Sequence, residues 1–308
     1  MNFLENLKMF VAIADAGSLI GGARQRRVSA PTATRALAGL AKELGVRLIV
    51  RTTRALRLTE AGADYLTQAR RVVAAVEDAA ATVTGRRLRP EGRLSVTAPE
   101  LFGERYVAPL LFEFLDANPL VTVQALFSNR VINLVDEGYD VALRIGALPD
   151  SSLTAIPLGA MRVVWVAAPA YLSRARVPQT PSDLARHSLV GISIEGQETT
   201  TWHRAAKGSR GKRPARERLV VNKNSVKVAA AVAGQGIARA LAYQVTDEVR
   251  DGRLRVILAR HEPPPVPAHL VHPEGRTASA KVREFLRLGA ARLKALPILQ
   301  GKGLEARG

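Results

Sequence analysis

The stretch SLIGGARQRRVSAPTATRALAGLAKELGVRLIVRTTRALRLT, residues 18–59, reads as two short helices followed by a basic hairpin. Ser18 is a natural N-cap, because its hydroxyl can accept a hydrogen bond from a free first-turn amide, and the helix it opens runs to about Arg26. Val28 fills the turn. Ser29 caps the next helix, Pro31 falls in its first turn where no N–H bond is lost, and Gly45 ends it after Leu44. Val28, Ala33, Leu37, Leu40 and Leu44 form the expected buried stripe, which leaves Ala30, Thr32, Thr34 and Arg35 on the opposite face. Small and hydroxyl-bearing residues beside one guanidinium suit a major groove, where the N-terminal residues of a recognition helix meet base edges. Arg47, Arg51, Arg54 and Arg57 then punctuate Leu48-Ile49-Val50 and Leu56-Arg57-Leu58, two short strands around Thr52-Thr53. A charged wing of this kind tracks phosphates.

Upstream, Leu4, Leu7, Phe10, Val11 and Ala14 lie on one face of a helix from about Leu4 to Ala16, and Gly17 stops it. Downstream, a helix runs from Thr59 to about Gly85. Its Leu66, Ala69, Val73, Val76, Ala80 and Val83 follow alternating three- and four-residue steps, the pattern of a coiled-coil seam. Two readings compete there: a helix packed on its own domain, and a dimerising linker that holds two recognition helices about 34 to 36 Å apart. We expect the second. Arg86 to Gly92 then breaks the pattern as a hinge.

Ser18 to Gly62 resembles the DNA-binding domain of LysR-type transcriptional regulators. The likeness is carried by Gly17-Ser18-Leu19, Ala23, Ser29, Pro31-Thr32-Ala33-Thr34-Arg35, Leu44-Gly45, Leu48, Arg51 and Leu58-Thr59-Glu60-Ala61-Gly62, and it continues to about residue 296. Two departures stand out. Gly21-Gly22 replace small helix formers, and Ala30 stands where glutamine is common, which removes an amide able to read adenine. The resemblance implies an all-α winged helix-turn-helix at residues 1–59, a dimerising linker helix and hinge at 60–90, an effector-binding domain at 91–296 and a tail at 297–308. It also implies a homodimer or homotetramer on double-stranded promoter DNA, RNA polymerase as a possible further partner, and a small-molecule effector. DNA contacts are expected from Ser29, Ala30, Pro31, Thr32, Thr34, Arg35, Arg51 and Arg54.

Composition points the same way. The 308 residues carry 45 Lys and Arg against 27 Asp and Glu, a net +18. Residues 1–90 hold 15 Lys and Arg against 7 Asp and Glu, and Arg204 to Arg218 adds seven basic residues against Glu217. The basicity is therefore local, as a DNA footprint and one solvated loop would make it. There is no cysteine, no long apolar run and no basic-then-apolar leader, so a cytoplasmic protein without disulfides, thiolate metal sites or a membrane span is expected.

The rest alternates strand and helix: strands at Leu94–Thr97, Val121–Phe127, Asp140–Ile145, Arg162–Ala168, Ser188–Ile192 and Leu219–Asn222, helices from about Pro99, over Arg130–Glu137 and over Ser225–Ala233. That order is α/β with parallel-sheet logic, and ligands bind beyond the carboxyl ends of such strands. The resemblance supplies the arrangement, two Rossmann-like lobes of periplasmic-binding-protein type with a cleft between them. Helix N-termini near Pro99, Asn129 and Ser225 would converge with Arg144 on a small carboxylate, hydrogen-bonded by Thr97, Ser128, Asn222 and Asn224. Glu100 is included among the effector contacts although, facing inward, it would favour a neutral or cationic ligand instead. Pro263-Pro264-Pro265 reads as a stiff connector back to the first lobe.

Enzyme chemistry finds no footing. His187, His203, His261, His269 and His272 are scattered, the last two three apart in a strand and so on opposite faces. No G-x-S-x-G or phosphate-binding loop occurs, and neither metal nor cofactor is expected. Two other classes remain as alternatives: a solute-binding protein whose N-terminal helices only dimerise it, against which the wing arginines speak, and a nonspecific architectural DNA binder, which would have no use for a large ligand domain.

Overall fold

The computed structural model describes residues 2–51, 56–84, 89–149, 152–193, 216–273 and 278–304. The chain divides into two compact units, one built on Met1–Arg89 and the other on Pro90–Val135, Tyr139–Gly275 and Lys281–Gly308.

In the first unit α1 (Phe3–Ala16), α2 (Leu19–Gln25) and α3 (Ala30–Leu44) precede the antiparallel hairpin β1 (Ile49–Arg51) and β2 (Leu56–Leu58), and α4 (Glu60–Thr84) follows. Ser18 Oγ accepts from the Gly21 amide at 3.0 Å and Ser29 Oγ from the Thr32 amide at 3.3 Å, so both helices begin where their caps stand. α1 is buried on two sides. Leu7 and Phe10 join Leu40, Leu48, Leu66 and Ala69 in one cluster, while Met9 and Ile13 join Ala23, Ala33 and Ala36 in another. The first departure from the family pattern now has a cause: a Cβ on Gly22 would lie 2.6 Å from the Ile13 Cα, so α2 meets α1 at backbone contact. Alanine, the better helix former, has no room there.

Two expectations need correction here. Val28 is 37% exposed and outside the buried stripe of α3, whose deepest positions are Ala33, Ala36 and Leu40. The first half of the proposed seam also serves its own chain, since Leu66 and Ala69 are buried in the α1 cluster and Val73 packs at its edge. Burying Leu7 and Phe10 requires a cover, and α4 provides it. Val72 and Val76 stay exposed, at 48% and 39%; the side chains of Ala80 and Val83 lie outside the described residues.

The second unit has two five-stranded sheets. Its elements are β3 (Gly92–Ala98), α5 (Glu100–Phe102) running through a π-helical turn (Gly103–Val107) into α6 (Ala108–Ala117), β4 (Val121–Phe127), β5 (Val141–Ile145), β6 (Thr154–Met161), β7 (Val163–Ala167), α7 (Pro169–Ala175), β8 (Ser188–Ile192), β9 (Arg216–Val221), α8 (Asn224–Val232), β10 (Ile237–Leu241), α9 (Ala242–Arg250), β11 (Arg255–Ile257), β12 (Val266–His272) and α10 (Ala280–Lys294). The first lobe is ordered β4-β3-β5-β12-β6 and the second β11-β7-β10-β8-β9. Parallel pairing holds only for β4-β3-β5 and β10-β8-β9; β6, β7, β11 and β12 run antiparallel to their neighbours, so the sheets are mixed. These antiparallel strands flank the places where the chain changes lobe. It crosses at Arg162, between β6 and β7, returns through Glu262 and Pro263-Pro264-Pro265 into β12, and after α10 passes Ala160 on β6 to place Leu304 in the second-lobe core. The first two crossings are tied together: the Arg162 guanidinium donates to both Glu262 carboxylate oxygens, Nε at 2.9 Å and Nη2 at 2.7 Å.

The helix expected over Arg130–Glu137 does not form; bends and turns occupy that segment. Ser128 Oγ accepts from the Arg130 amide at 3.2 Å and Asn133 Oδ1 from the Val135 amide at 3.1 Å, so side chains close local turns in place of a helical ladder. Nor is the segment after residue 296 a loose tail. Ile298 and Leu299 are 5% and 2% exposed, and Gln300 bridges to Ala160 on β6.

Candidate functional site

On the first unit, the N-terminal half of α3 presents Pro31, Thr34 and Arg35 to solvent, with Ala30 and Thr32 half-buried beside them and the capping Ser29 exposed. The hydroxyls are partly committed. Ser29 Oγ and Thr32 Oγ1 lie 2.8 Å apart within the cap, and Thr34 Oγ1 donates to the Ala30 carbonyl at 3.0 Å. Arg35 is thus the group on this face with donors to spare, and the methyls of Ala30 and Thr34 offer apolar contact of the kind a thymine methyl takes. Thr59 ties the wing to α4: its Oγ1 donates to the Arg47 carbonyl at 2.7 Å and accepts from the Gly62 amide at 2.9 Å. Arg51 ends β1, but its side chain, like all of Arg54, lies outside the described residues.

In the second unit a cavity of about 700 Å³ opens between the lobes. Register places Thr97 on β3 beside Ala142 on β5, two residues before Arg144, so the first lobe brings a buried hydroxyl and a half-buried guanidinium to the same wall. Pro99, Ser128 and Asn224, read from the sequence as effector contacts, also line it. Arg144 pairs with neither Asp140 nor Glu100; its Nη2 donates to the Ile132 carbonyl at 2.7 Å, and burial lowers its pKa.

Glu100 and Asn222 do not belong to the lining. Glu100 is half-buried beside the lining, where Lys223 Nζ donates to it at 2.9 Å and the cavity-lining Asn129 Nδ2 at 3.3 Å, an ion pair between a first-lobe residue and a second-lobe one. Asn222 is exposed at the end of β9. With no helix after Ser128, of the three expected helix starts only those at Glu100 and Asn224 remain.

The second lobe adds groups that the sequence reading passed over. Lys227 on α8 is 3% exposed, and its ammonium donates to Asn224 Oδ1 at 2.8 Å and to Gln244 Oε1 at 3.2 Å. Burial, and then the neighbouring Arg239 guanidinium, push its pKa down to about 8. Arg239 sits 5.8 Å over the Trp165 ring, with its own pKa lowered by burial. Tyr243, 1% exposed, packs edge-on to Phe102 of the first lobe at 5.2 Å, and burial pushes its phenol up to about 12. A signal for the two cations exists: each is a lone charge inside an apolar run, Val226-Lys227-Val228 and Ile237-Ala238-Arg239-Ala240-Leu241. Among the described residues no Asp or Glu lines the cavity, and no cluster of His, Cys, Asp or Glu could hold a metal.

Comparison with known proteins fits both units. The family described as bacterial regulatory helix-turn-helix protein, lysR family, matches residues 4–63, and the LysR substrate binding domain matches residues 87–294. An HTH-type transcriptional regulator of Xanthomonas campestris is 31% identical over 94% of this chain and 85% of its own length. The HTH-type transcriptional activator AaeR of Escherichia coli is 30% identical over 92% and 91%. Among solved structures, CrgA, a LysR-type transcriptional regulator from Neisseria meningitidis, is 28% identical with a TM-score of 0.58, covering 94% of this chain and 98% of that one.

Proposed function

The chain belongs to the LysR family of bacterial transcriptional regulators, and from that membership we propose that it reads promoter DNA with α3 and the wing and is switched by a small carboxylate in the inter-lobe cavity. It is a regulator with a DNA-binding and an effector-binding domain, not an enzyme. The observation that carries the choice of ligand is the cavity wall, which holds Arg144 and Arg130 from the first lobe, Lys227 and Arg239 from the second and, among the described residues, no carboxylate. Desolvated cations favour an anion strongly, because only an opposite charge offsets their burial. Glu100, the one residue that would have favoured an amine, is neutralised by Lys223 outside the lining.

Thermal-shift titration of the full chain with small carboxylates, matched amides and matched amines tests the ligand class. Acids at a hundredfold excess over Kd should stabilise by about 2.7 kcal/mol, amides and amines by nothing, and Arg144→Ala should remove most of the effect. Stabilisation by amines alone, untouched by Arg144→Ala, reverses the assignment.

On the DNA side, Ser29, Ala30, Pro31, Thr32 and Thr34 are proposed to seat α3 in the major groove, Arg35 to read guanine, and Arg51 and Arg54 to hold phosphates. Arg35→Ala should cost about 1 to 3 kcal/mol on the operator and relax base preference. An equal loss on every sequence, with the salt slope reduced by about one, would make Arg35 a phosphate contact. Val72 and Val76, exposed on α4 among the described residues, are proposed to pair with a second copy. A homodimer should then footprint two half-sites about 34 to 36 Å apart, and protection of a single half-site removes that pairing. Such a protein works at the chromosome, in the cytoplasm, with RNA polymerase as its downstream partner.

A further inference from the structure

The cavity has two cationic poles, and they belong to different lobes. Arg144 stands on β5 of the first lobe, near Thr97. Lys227 on α8 and Arg239 on β10 stand together in the second lobe, close enough that Arg239 disfavours the charge on Lys227. The oxygens that Lys227 touches are amide oxygens, Asn224 Oδ1 and Gln244 Oε1, and Arg239 lies on the face of an indole. Two like charges in a desolvated wall, met only by neutral acceptors and a π-face, are a costly arrangement that an anion relieves. One carboxylate at Arg144 leaves that second pole uncompensated. The same lining has an aliphatic part, Val163, Val190, Ile192 and Val266 among others, which a hydrocarbon segment can meet.

Resting on the carboxylate reading above, we propose that the effector is a dianion with a hydrocarbon spacer: one acidic group meets Arg144 and Thr97 on the first lobe, the other meets Lys227 and Arg239 on the second. A single molecule then ties the lobes together, and closure is coupled to recognition of both ends. A monoacid fills one pole and cannot draw the other wall in.

Isothermal titration of the full-length protein with straight-chain and aromatic dicarboxylates of increasing length, their monoamides and the corresponding monocarboxylates tests this. One diacid length should bind roughly 30-fold tighter than its own monoamide, as a charge-assisted pair in a buried wall provides. Lys227→Met should weaken that diacid by a larger factor than its monoamide, and Arg239→Gln should act in the same direction. Melting temperatures at or above that of the unsubstituted protein show that the variants fold. Diacids and monoacids binding alike, both lost in Arg144→Ala, overturn the dianion and leave the carboxylate reading standing. Equal weakening of diacid and monoamide by Lys227→Met also overturns it, since Lys227 would then act on the fold and not on the second acid. If no acid binds, both readings fall.

Discussion

Replacing Lys227 with methionine is expected to raise the melting temperature of the unliganded protein while erasing the component of its acid response that depends on the second lobe. The displacement of this ammonium from 10.5 to about 8 corresponds to about 3 kcal/mol favouring the neutral form, so at pH 7 the folded chain carries most of that as a cost. Methionine fills a similar volume without the charge. Loss of the bonds to Asn224 and Gln244 returns about 1 kcal/mol for each. The balance is a gain of about 1 to 2 kcal/mol, or roughly 2 to 6 °C for a unit of this size. The pH dependence fixes the sign. Because the folded-state pKa lies below the unfolded one, the unfolded chain holds more protons between about 8 and 10.5, and wild-type stability from this group rises with pH across that window. The advantage of the methionine variant should therefore be full below pH 8, vanish as the charge cost falls to the worth of the two lost hydrogen bonds, and be reversed by about 10.5. Differential scanning calorimetry against pH reads it directly; a variant less stable than wild type at pH 7 would show that the buried ammonium is already compensated.

A larger loss is expected at the other end of the chain from one methyl group. A Cβ on Gly62 would lie 1.9 Å from the Leu48 carbonyl oxygen and 2.8 Å from its carbon. That carbonyl already accepts the Thr59 amide at 3.0 Å, and Thr59 in turn bonds Arg47 and Gly62. Backbone cannot yield as a side-chain tip can, so Gly62→Ala must push the first turn of α4 away from the root of the wing and expose Leu48, Leu66 and Ala69. Overpacking against main chain combined with that lost burial should cost about 3 kcal/mol or more. Operator binding in a gel shift should disappear, while Ala63→Ser, one residue on and exposed, should leave both stability and binding unchanged. A Gly62→Ala protein that binds the operator normally would mean that α4 can shift without disturbing α3.

What the sequence discloses about this molecule follows how local the determining interaction is. Ser18 and Ser29 cap their helices through bonds to residues three ahead, so reading the string suffices, and Ser188–Ile192 is a strand with the expected ends. Arg130–Glu137 misleads because helical spacing there competes with Ser128 and Asn133, whose short side chains bond their own backbone. Direction is harder still. Glu100 and Asn222 stand beside the right strand ends, but Lys223, reachable only across the lobes, takes up the Glu100 carboxylate beside the cavity. The pairing of Lys227 with Arg239 depends on α8 packing over β10, and no short-range pattern records it.

The bidentate Arg162–Glu262 pair fastens two of the connections between lobes to each other. Bodies joined at two well-separated points can scarcely turn, and bodies joined at one slack point can tumble in any direction. Joined where the links are pinned side by side, they keep one rotation, like the leaves of a book at its spine, and the cross-lobe pairs Glu100–Lys223 and Arg105–Asp247 hold the leaves where they stand. The cavity side chains sit off that axis, so a small pull at the mouth acts through a lever arm and is delivered as an angle. Ligands that differ in length should therefore differ in the angle at which they stop the swing, which makes the response of this protein graded by geometry as well as by occupancy.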